Sequence, residues 1–377
     1  MSLPLDSIRV LDLSRLLPGP YCSMLLADFG AEVIKVEEPH TGDYARAESP
    51  KIGKDSAFFH SLNRGKKSIC LNLKDVEDKQ RFKQLVKDSD VVIESFRPGV
   101  MKRLGLDYEI LNKINPGLVY CAITGYGQDG PYASLPGHDL NYIGYTGLLD
   151  MMGERHGAPQ IPATQIADIG GGAYPAAMGI MLALFERQKT GKGQMVDISM
   201  MDGVLSWMPT VFPSFLATGQ LPQRGELDLS GKRASYAVYE TKDHKWLAVG
   251  AFELKFWSEF CRVIGKEDFV AKLHDPVDVQ LQMKEEIQEI LLHKTSAQWM
   301  EIFDQVAACV TPVLSFDEVL DDPQVKARGM IQEVEHPEIG PVTHIATPIK
   351  LSRTPGKILS AAPLLGEHTA AVLGEYE

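Results

Sequence analysis

The stretch from residue 8 to residue 38, IRVLDLSRLLPGPYCSMLLADFGAEVIKVEE, decides the fold. An apolar strand pattern at residues 8–14 is followed by a helix pattern at residues 20–30 and a second strand pattern at residues 31–38. Proline in the first turn and glycine at the end are typical helix boundaries. Strands that are apolar throughout are buried on both faces, so the stretch predicts two parallel strands joined by a helix.

The same rhythm continues as far as residue 127. Strand patterns occur at residues 68–73, 91–96 and 118–127, and helix patterns lie between them at residues 77–90 and 101–115. Strands that alternate with helices predict a doubly wound, Rossmann-like parallel sheet with right-handed connections, which is an α/β fold.

The pattern changes after this series. A Gly/Pro-rich stretch covers residues 125–172, and an apolar helix pattern follows at residues 173–188. We interpret the Met- and aromatic-rich run at residues 197–219 as a helix that serves the core or a subunit interface. Residues 235–252 predict a hairpin at the start of a smaller α+β domain. The predicted domains are residues 1–200 (large), 201–233 (helix and linker), 234–330 (small) and 331–377 (a return segment completing the large domain).

Composition narrows the class of protein. The 377 residues include 38 Lys/Arg and 50 Asp/Glu, a net charge of −12, which disfavours nucleic acid or an anionic membrane as the partner. No run of about 18 apolar residues and no signal peptide is visible. Five scattered cysteines without a CxxC pair predict a reducing, cytoplasmic location and no metal site.

Charge is uneven along the chain. Residues 64–103 include eleven Lys/Arg and six Asp/Glu. This excess of positive charge predicts a surface able to receive phosphates. Solvated helix faces are the alternative explanation for Lys79, Arg81, Lys83 and Lys87. No GxGxxG follows the first strand, and GxxxxGK[ST], HExxH and GxSxG are absent, which removes the usual sequence support for dinucleotide enzymes, P-loop NTPases, zincins and α/β-hydrolases.

Three residues carry chemical meaning. Asp168 precedes three glycines (GGG, residues 170–172) that open the apolar helix, where Gly170 and Gly171 allow a ligand close to the backbone and the helix start favours an anion. A simple helix cap is the alternative role for Asp168. His138 suits proton transfer near neutral pH, and Glu253 lies between aromatic clusters. The alternatives are a structural role for His138 and a plain salt bridge for Glu253.

Several stretches taken in order resemble the family III coenzyme A transferases, which include formyl-CoA transferase, carnitine CoA transferase and α-methylacyl-CoA racemase. The matching stretches are residues 8–37, LNRGKKSICLNLK, VVIESFRPGVMKRLGLDYE, CAITGYGQDGPYASLPGHDLNYI, ADIGGG, ERQKTGKGQMVDISMMDG and LLGEHTAAVLGE. They reach from the first strand to the last helix.

The resemblance implies a substrate, a site and an assembly. The substrate is a coenzyme A thioester, with no tightly bound cofactor. Residues Leu71, Asn72, Lys74, Ser95, Phe96, Arg97 and Arg103 are expected to hold the coenzyme. The family resemblance also implies a homodimer in which each subunit is a ring threaded through the other.

Within the family, the motifs GHD–NY, AD–GGG and GA–E, in which each dash stands for one residue, look like those of the racemase branch. His138 and Asp168 are then the two acid/base groups at the α-carbon of a 2-methylacyl-CoA, and Glu253 orients His138. The alternative is coenzyme A transfer between carboxylic acids through an aspartyl-acyl anhydride on Asp168. A catalytically idle coenzyme A-binding protein is a third possibility.

Three positions depart from the family pattern. Glu38 stands where several relatives have arginine near the coenzyme, and Leu254 replaces a common proline. Lys232 and Arg233 follow Gly231 where racemases often have a glycine pair, which predicts cationic groups near the acyl pocket.

Overall fold

The computed structural model describes residues 2–376. Its centre is a sheet of six parallel strands, which confirms the predicted α/β fold. The strands are β1 (Arg9–Asp12), β2 (Glu32–Glu37), β3 (Lys66–Cys70), β4 (Val91–Glu94), β5 (Val119–Thr124) and β6 (Met195–Ser199). Their order in the sheet is β3-β2-β1-β4-β5-β6, so the direction of winding reverses between β1 and β4. At such a reversal the loops diverge and leave a crevice outside the carboxyl ends of the strands.

The interpretation of residues 197–219 as one helix is wrong. Met195–Ser199 pairs with β5 as the sixth strand, and the rest forms two short helices, Met200–Leu205 and Phe212–Thr218. In β6 more exposed side chains alternate with less exposed ones, because it is an edge strand. The apolar pattern that marked the buried strands is therefore missing. The run predicted as one helix at residues 101–115 also breaks, at Gly105.

The chain folds into two compact units. The first comprises Met1–Thr146, Pro162–Trp207 and Pro323–Glu377. Residues such as Leu11, Ile34 and Phe82 fill its core against the sheet, and all three are fully buried. Two short hairpins accompany the sheet, Lys51–Ile52 with Asp55–Ser56 and Ile331–His336 with Gly340–Ile345. The helices of this unit are Pro18–Asp28, Ala57–Asn63, Val76–Lys87, Val100–Leu104, Tyr108–Ile114, Asp139–Tyr145, Tyr174–Thr190, Met200–Leu205, Pro323–Ala327 and Thr369–Leu373.

The second unit comprises Gly147–Ile161 and Met208–Asp322. Its antiparallel sheet consists of Tyr236–Glu240, Trp246–Gly250 and Val310–Pro312. Its helices are Leu148–Met151, Phe212–Thr218, Leu254–Ile264, Val277–Leu291, Ser296–Phe303 and Phe316–Asp321. Stacked rings of Trp257, Phe260 and Phe303 form the centre of its core. Residues 147–161 join this unit through ion pairs such as Arg155 with Glu226.

One helical stretch, Ile166–Thr190, is long and apolar enough to cross a membrane by length and composition alone. Core helices of soluble proteins meet the same criterion. Its side chains Met178, Leu182 and Phe185 are each at least 60% exposed. The helix therefore presents a broad apolar face outside the core of its own chain.

Candidate active site

The residues predicted to hold a coenzyme lie at the carboxyl edge of the sheet. Leu71–Lys74 follows β3 directly, and Ser95–Arg97 follows β4. Strands β2 and β1 stand between them, so the two loops are about 14 Å apart at a strand spacing of about 4.8 Å. An extended molecule can reach both loops along this edge.

Hydrogen bonds fix the local geometry of both loops. The Asn72 amide N–H donates to Asp78 Oδ2 (2.8 Å), and its side-chain oxygen accepts from the Lys74 N–H (3.1 Å). The Phe96 N–H donates to Glu94 Oε2 (2.7 Å). Burial raises the pKa of Glu94 to about 7. Each loop is therefore held in shape by a carboxylate of its own segment.

Two arginines of the predicted coenzyme-binding set follow β4. Arg97 and Arg103 are both exposed. Gly99 lies between the two arginines in the chain and has a φ of 84°. The Nη1 atom of Arg103 lies next to Gly99. Both guanidinium groups are therefore accessible to a ligand at the carboxyl edge of the sheet.

Asp168 lies inside a widened helical turn rather than before the helix. Residues Ile166–Ala173 form a π-type turn that continues directly into the helix Tyr174–Thr190. The N–H of Tyr174 bonds to the carbonyl of Ile169, five residues earlier. Such insertions are rare in helices and are frequent at functional sites.

Asp139 holds the beginning of this turn. Its Oδ1 accepts the N–H of Ala167 (2.6 Å) and the N–H of Asp168 (3.0 Å). The expected anion at the helix start is thus a side chain of the protein itself. The N–H of Ile169 bonds to the carbonyl of Gln165 (3.2 Å). The sequence reasoning missed Asp139, although its place next to His138 was a local signal.

The environment of Asp168 changes its acidity. Burial, and then the charge of Asp139, raises the pKa of Asp168 to about 7. A carboxyl group with this pKa exchanges protons readily at neutral pH. Asp168 is therefore suited to act as an acid in one half of a reaction and as a base in the other.

His138 is connected to Asp168 through its neighbour in sequence. It is the exposed residue that caps the helix Asp139–Tyr145, and its N–H donates to Asn141 Oδ1 (3.0 Å). Because Asp139 binds the Asp168 turn directly, the structure brings the segments carrying His138 and Asp168 together. Burial, followed by the Asp168 charge, raises the pKa of Tyr142, which lies in the same helix.

The three glycines of the turn have a packing role. A side chain at Gly170 would overlap the Trp207 ring (1.7 Å), and one at Gly171 would meet the Met200 carbonyl (2.5 Å). The Met200–Leu205 helix packs against the turn on the side to which these side chains would point, and the ligand contact predicted for Gly170 and Gly171 stays a prediction. Glycine is required here for close approach of two backbone segments.

Glu253 belongs to the second unit. It is exposed at the start of the helix Leu254–Ile264, and its carbonyl accepts the Trp257 N–H (3.0 Å). Its predicted role toward His138 stays a prediction.

In the same unit, Asp228 pairs with Arg233 (2.9 Å) and with Lys232 (3.5 Å). These two cations are thereby partly neutralised.

The basic segment at residues 64–103 is less available to ligands than its composition predicted. Arg64 forms a buried pair with Asp28 (2.8 Å), and Lys66 forms one with Asp12 (3.2 Å). Both cations belong to the interior, where a buried charge requires a partner. The cations at the predicted coenzyme-binding positions, by contrast, are exposed: Lys74, Arg97 and Arg103.

The chemistry available to the site comes from acids, bases and amides. Among residues 2–376, no group of three or more His, Cys, Asp and Glu side chains is arranged to hold a metal ion. Cys22 and Cys121 are buried, and burial raises the pKa of both thiols. Neither thiol is therefore an activated nucleophile.

Comparison with known proteins places this geometry in a class. Residues 5–369 match the family model for CoA-transferase family III. The chain is 36% identical to alpha-methylacyl-CoA racemase from Homo sapiens, over 99% of this chain and 93% of the racemase. It is 31% identical to succinyl-CoA:glutarate CoA-transferase from Homo sapiens, over 99% of this chain and 86% of the transferase. A crystal structure of a CAIB/BAIF family protein from Brucella suis matches with a TM-score of 0.90 and 32% identity, covering 100% of both chains.

The fold and these relatives define an enzyme that acts on coenzyme A thioesters. The chain belongs to CoA-transferase family III, whose members among its relatives are both racemases and CoA-transferases.

Proposed function

We propose that this enzyme is a racemase or epimerase of 2-methylacyl-CoA thioesters. The observation that carries the proposal is the joint placement of His138 and Asp168, tied by Asp139, together with the pKa of about 7 at Asp168. A histidine and a carboxyl group with this pKa can share one proton-transfer reaction near neutral pH. The 36% identity to the racemase over nearly the whole chain favours the same activity.

The mechanism is a two-base 1,1-proton transfer. One group removes the α-proton, and the electron pair of the broken C–H bond moves into the thioester to give an enolate. The other group, which is protonated, delivers its proton to the opposite face of the α-carbon and restores the C–H bond. In one direction neutral His138 is the base and the protonated carboxyl of Asp168 is the acid; the reverse direction exchanges these roles. Each role contributes about 10²–10⁴ in rate.

The coenzyme half binds along the carboxyl edge of the sheet in this proposal. Leu71–Lys74 after β3 and Ser95–Arg97 after β4 contact it, and Arg103 supplies a further cation. The thioester is a substrate, and the reaction uses no tightly bound cofactor. Glu253 is proposed to orient His138 from the second unit.

Coenzyme A transfer is the second candidate, and the relative at 31% identity favours it. In that reaction the Asp168 carboxylate attacks the thioester carbonyl, and coenzyme A leaves as the thiolate, which gives an acyl-aspartyl anhydride. The thiolate then attacks the aspartyl carbonyl of the anhydride, which releases the donor acid as its carboxylate. The acceptor carboxylate attacks the resulting aspartyl thioester, and the thiolate set free takes the acceptor acyl group and restores Asp168. A partly buried carboxyl group near the His138 segment fits either reaction.

Solvent exchange separates the two candidates. The enzyme is incubated in heavy water with 2-methylacyl-CoA and no acceptor acid, and α-deuterium is measured by mass spectrometry. The racemase requires incorporation that Asp168→Asn abolishes and Asp304→Asn, an exposed carboxylate, leaves intact. Coenzyme exchange that depends on an acceptor acid, with a hydroxylamine-sensitive adduct at Asp168, supports the transferase instead. An inert protein that still binds coenzyme A supports the idle, non-catalytic alternative.

The assembly and the location complete the proposal. The exposed apolar face of the helix Tyr174–Thr190 supports a homodimer, because a face of this kind is usually covered by a partner. Sedimentation at micromolar concentration tests it, and a monomer throughout would contradict it. The unpaired cysteines and the acidic composition support a cytoplasmic location without a nucleic-acid or membrane partner.

A further inference from the structure

The crevice where the sheet reverses direction contains a cation outside the predicted coenzyme-binding set. Arg15 lies three residues after β1, and Ser95 follows β4, the strand beside β1. The Arg15 N–H donates to Ser95 Oγ (3.3 Å), which joins the two loops across the crevice. Ligands of doubly wound sheets bind at this type of position.

Aromatic rings hold the Arg15 side chain in place. Its guanidinium carbon is 4.9 Å from the centre of the Tyr44 ring and 5.6 Å from that of Phe96. Its Nη1 donates to the Tyr44 hydroxyl (2.9 Å). A guanidinium positioned between rings loses little further freedom on binding a ligand, and its other donors form a fork that suits a phosphate.

The charge of Arg15 has no acidic partner within residues 2–376. Nearby acids are already engaged: Asp43 pairs with the buried Lys35 (2.8 Å), and Glu37 pairs with Arg46 (2.7 Å). The guanidinium therefore keeps its full charge for an anionic ligand.

Glu38, one of the departures from the family pattern, adds negative charge at the same edge. Its carboxylate accepts the N–H (2.9 Å) and the hydroxyl (2.8 Å) of Thr41, and these bonds lower the pKa of the Glu38 carboxyl. The carboxylate is therefore ionised at neutral pH, and a phosphate bound nearby must overcome its repulsion. A cation in the crevice offsets this repulsion.

The backbone beside Arg15 is strained and firmly held. Leu16 has a φ of 63°, a left-handed conformation that costs a non-glycine residue free energy. Its N–H donates to Asp43 Oδ1 (3.0 Å), which fixes the turn to the loop after β2. Strain maintained by such contacts is typical of binding sites, where it positions a side chain before the ligand arrives.

We propose that Arg15 binds a phosphate group of the coenzyme, in a subsite at the crevice between β1 and β4. The inference rests on the proposed acyl-CoA substrate and adds a residue to its binding site. The nucleotide half of coenzyme A has a pyrophosphate and a 3′-phosphate, and Arg15 binds one of them by charge-assisted hydrogen bonds.

Calorimetric titration of the full-length protein tests this. Arg15→Met should weaken coenzyme A binding by about 10- to 100-fold, the effect expected for loss of hydrogen bonds between charged groups. Arg262→Met removes an exposed arginine in the second unit and should leave binding unchanged. Dephospho-coenzyme A identifies the phosphate: an equal loss with both ligands assigns the pyrophosphate, and a loss confined to coenzyme A assigns the 3′-phosphate. Affinity of Arg15→Met within twofold of the unmodified protein overturns the proposal.

A thioester without phosphates provides the second readout. Deuterium exchange on an acyl-N-acetylcysteamine should be the same in Arg15→Met and the unmodified protein, whereas exchange on acyl-CoA should fall at low substrate concentration. Equal losses on both thioesters overturn the phosphate role. If Arg15→Met does not fold, Arg15→Gln, which keeps a donor toward Tyr44, replaces it. Calorimetry requires no turnover, so failure of the proposed racemase reaction is distinguishable from failure of this inference.

Discussion

Replacing Asp168 by asparagine should make the protein more stable, and by an amount that depends on pH. The pKa of Asp168 is raised from 3.8 to about 7 in the folded chain. A native pKa above the unfolded value means that the folded protein keeps this proton as the unfolded chain loses it. The free energy of unfolding therefore falls as the pH rises from about 4 to about 7.

The size of the effect follows from the two pKa values. Their difference corresponds to about 4 kcal/mol at a pH above both. Because the side chain is only partly buried, we expect solvent to reduce this to about 2–4 kcal/mol. Asp168→Asn removes the ionisation and keeps the shape. It should match the unmodified protein near pH 4 and be more stable by this amount near pH 8.5. The raised pKa has almost no effect on the free energy of unfolding at the first pH and almost its full effect at the second.

Urea unfolding at the two pH values measures the difference. Asp304→Asn makes the same chemical change at an exposed position and serves as the control. A stability difference between Asp168→Asn and the unmodified protein that stays constant between the acidic and the alkaline measurement would refute the reasoning. So would a loss of stability at the higher pH.

The remaining predictions concern the surroundings of Asp168. Asp139→Asn keeps an oxygen for the Ala167 and Asp168 N–H groups but removes a charge, so the limb of the pH–rate profile that reports Asp168 should move to lower pH; an unmoved limb contradicts this. His138→Gln should lower deuterium exchange by about 10²–10⁴ with coenzyme A affinity by calorimetry unchanged, and full activity would exclude it as a base. Gly203→Ala places a methyl group 2.0 Å from a backbone oxygen and should lower the stability by about 1–3 kcal/mol. Gly144→Ala meets open space in a helix and should raise stability by up to about 1 kcal/mol, so the opposite order in thermal melts would contradict the packing.

Local patterns were sufficient for the interior of the fold. The inner strands β1, β2, β4 and β5 carry runs of buried residues because both faces of the sheet are covered, and each of these segments shows the apolar pattern in its own sequence. The helix predicted at residues 20–30 occurs as Pro18–Asp28, displaced by two residues. Strand β6 was missed because its more exposed and less exposed side chains alternate, and this alternation was lost in a Met-rich run.

The site was predictable only in part. Asp168 and His138 were identified because a carboxyl before glycines and a histidine in a long loop are unusual. Asp139 was not, because its bonds reach residues 28 and 29 positions away in sequence. The packing of Trp207 and Met200 against Gly170 and Gly171 was likewise not predicted, because those contacts come from a segment about 30 residues further along the chain.

By itself, the sequence determined the parallel α/β core from β1 to β5 and singled out Asp168 as a candidate acid, because the patterns that mark buried strands, helix ends and glycine-flanked acids extend over only a few residues. The tertiary structure decided which charges are available. It paired Arg64 and Lys66 each with a buried aspartate and left Arg15 at the crevice without an acid partner among residues 2–376. It also placed Asp139 where its charge raises the pKa of Asp168. Electrostatic free energies depend on burial and on distances between segments remote in sequence, and only the folded chain sets those.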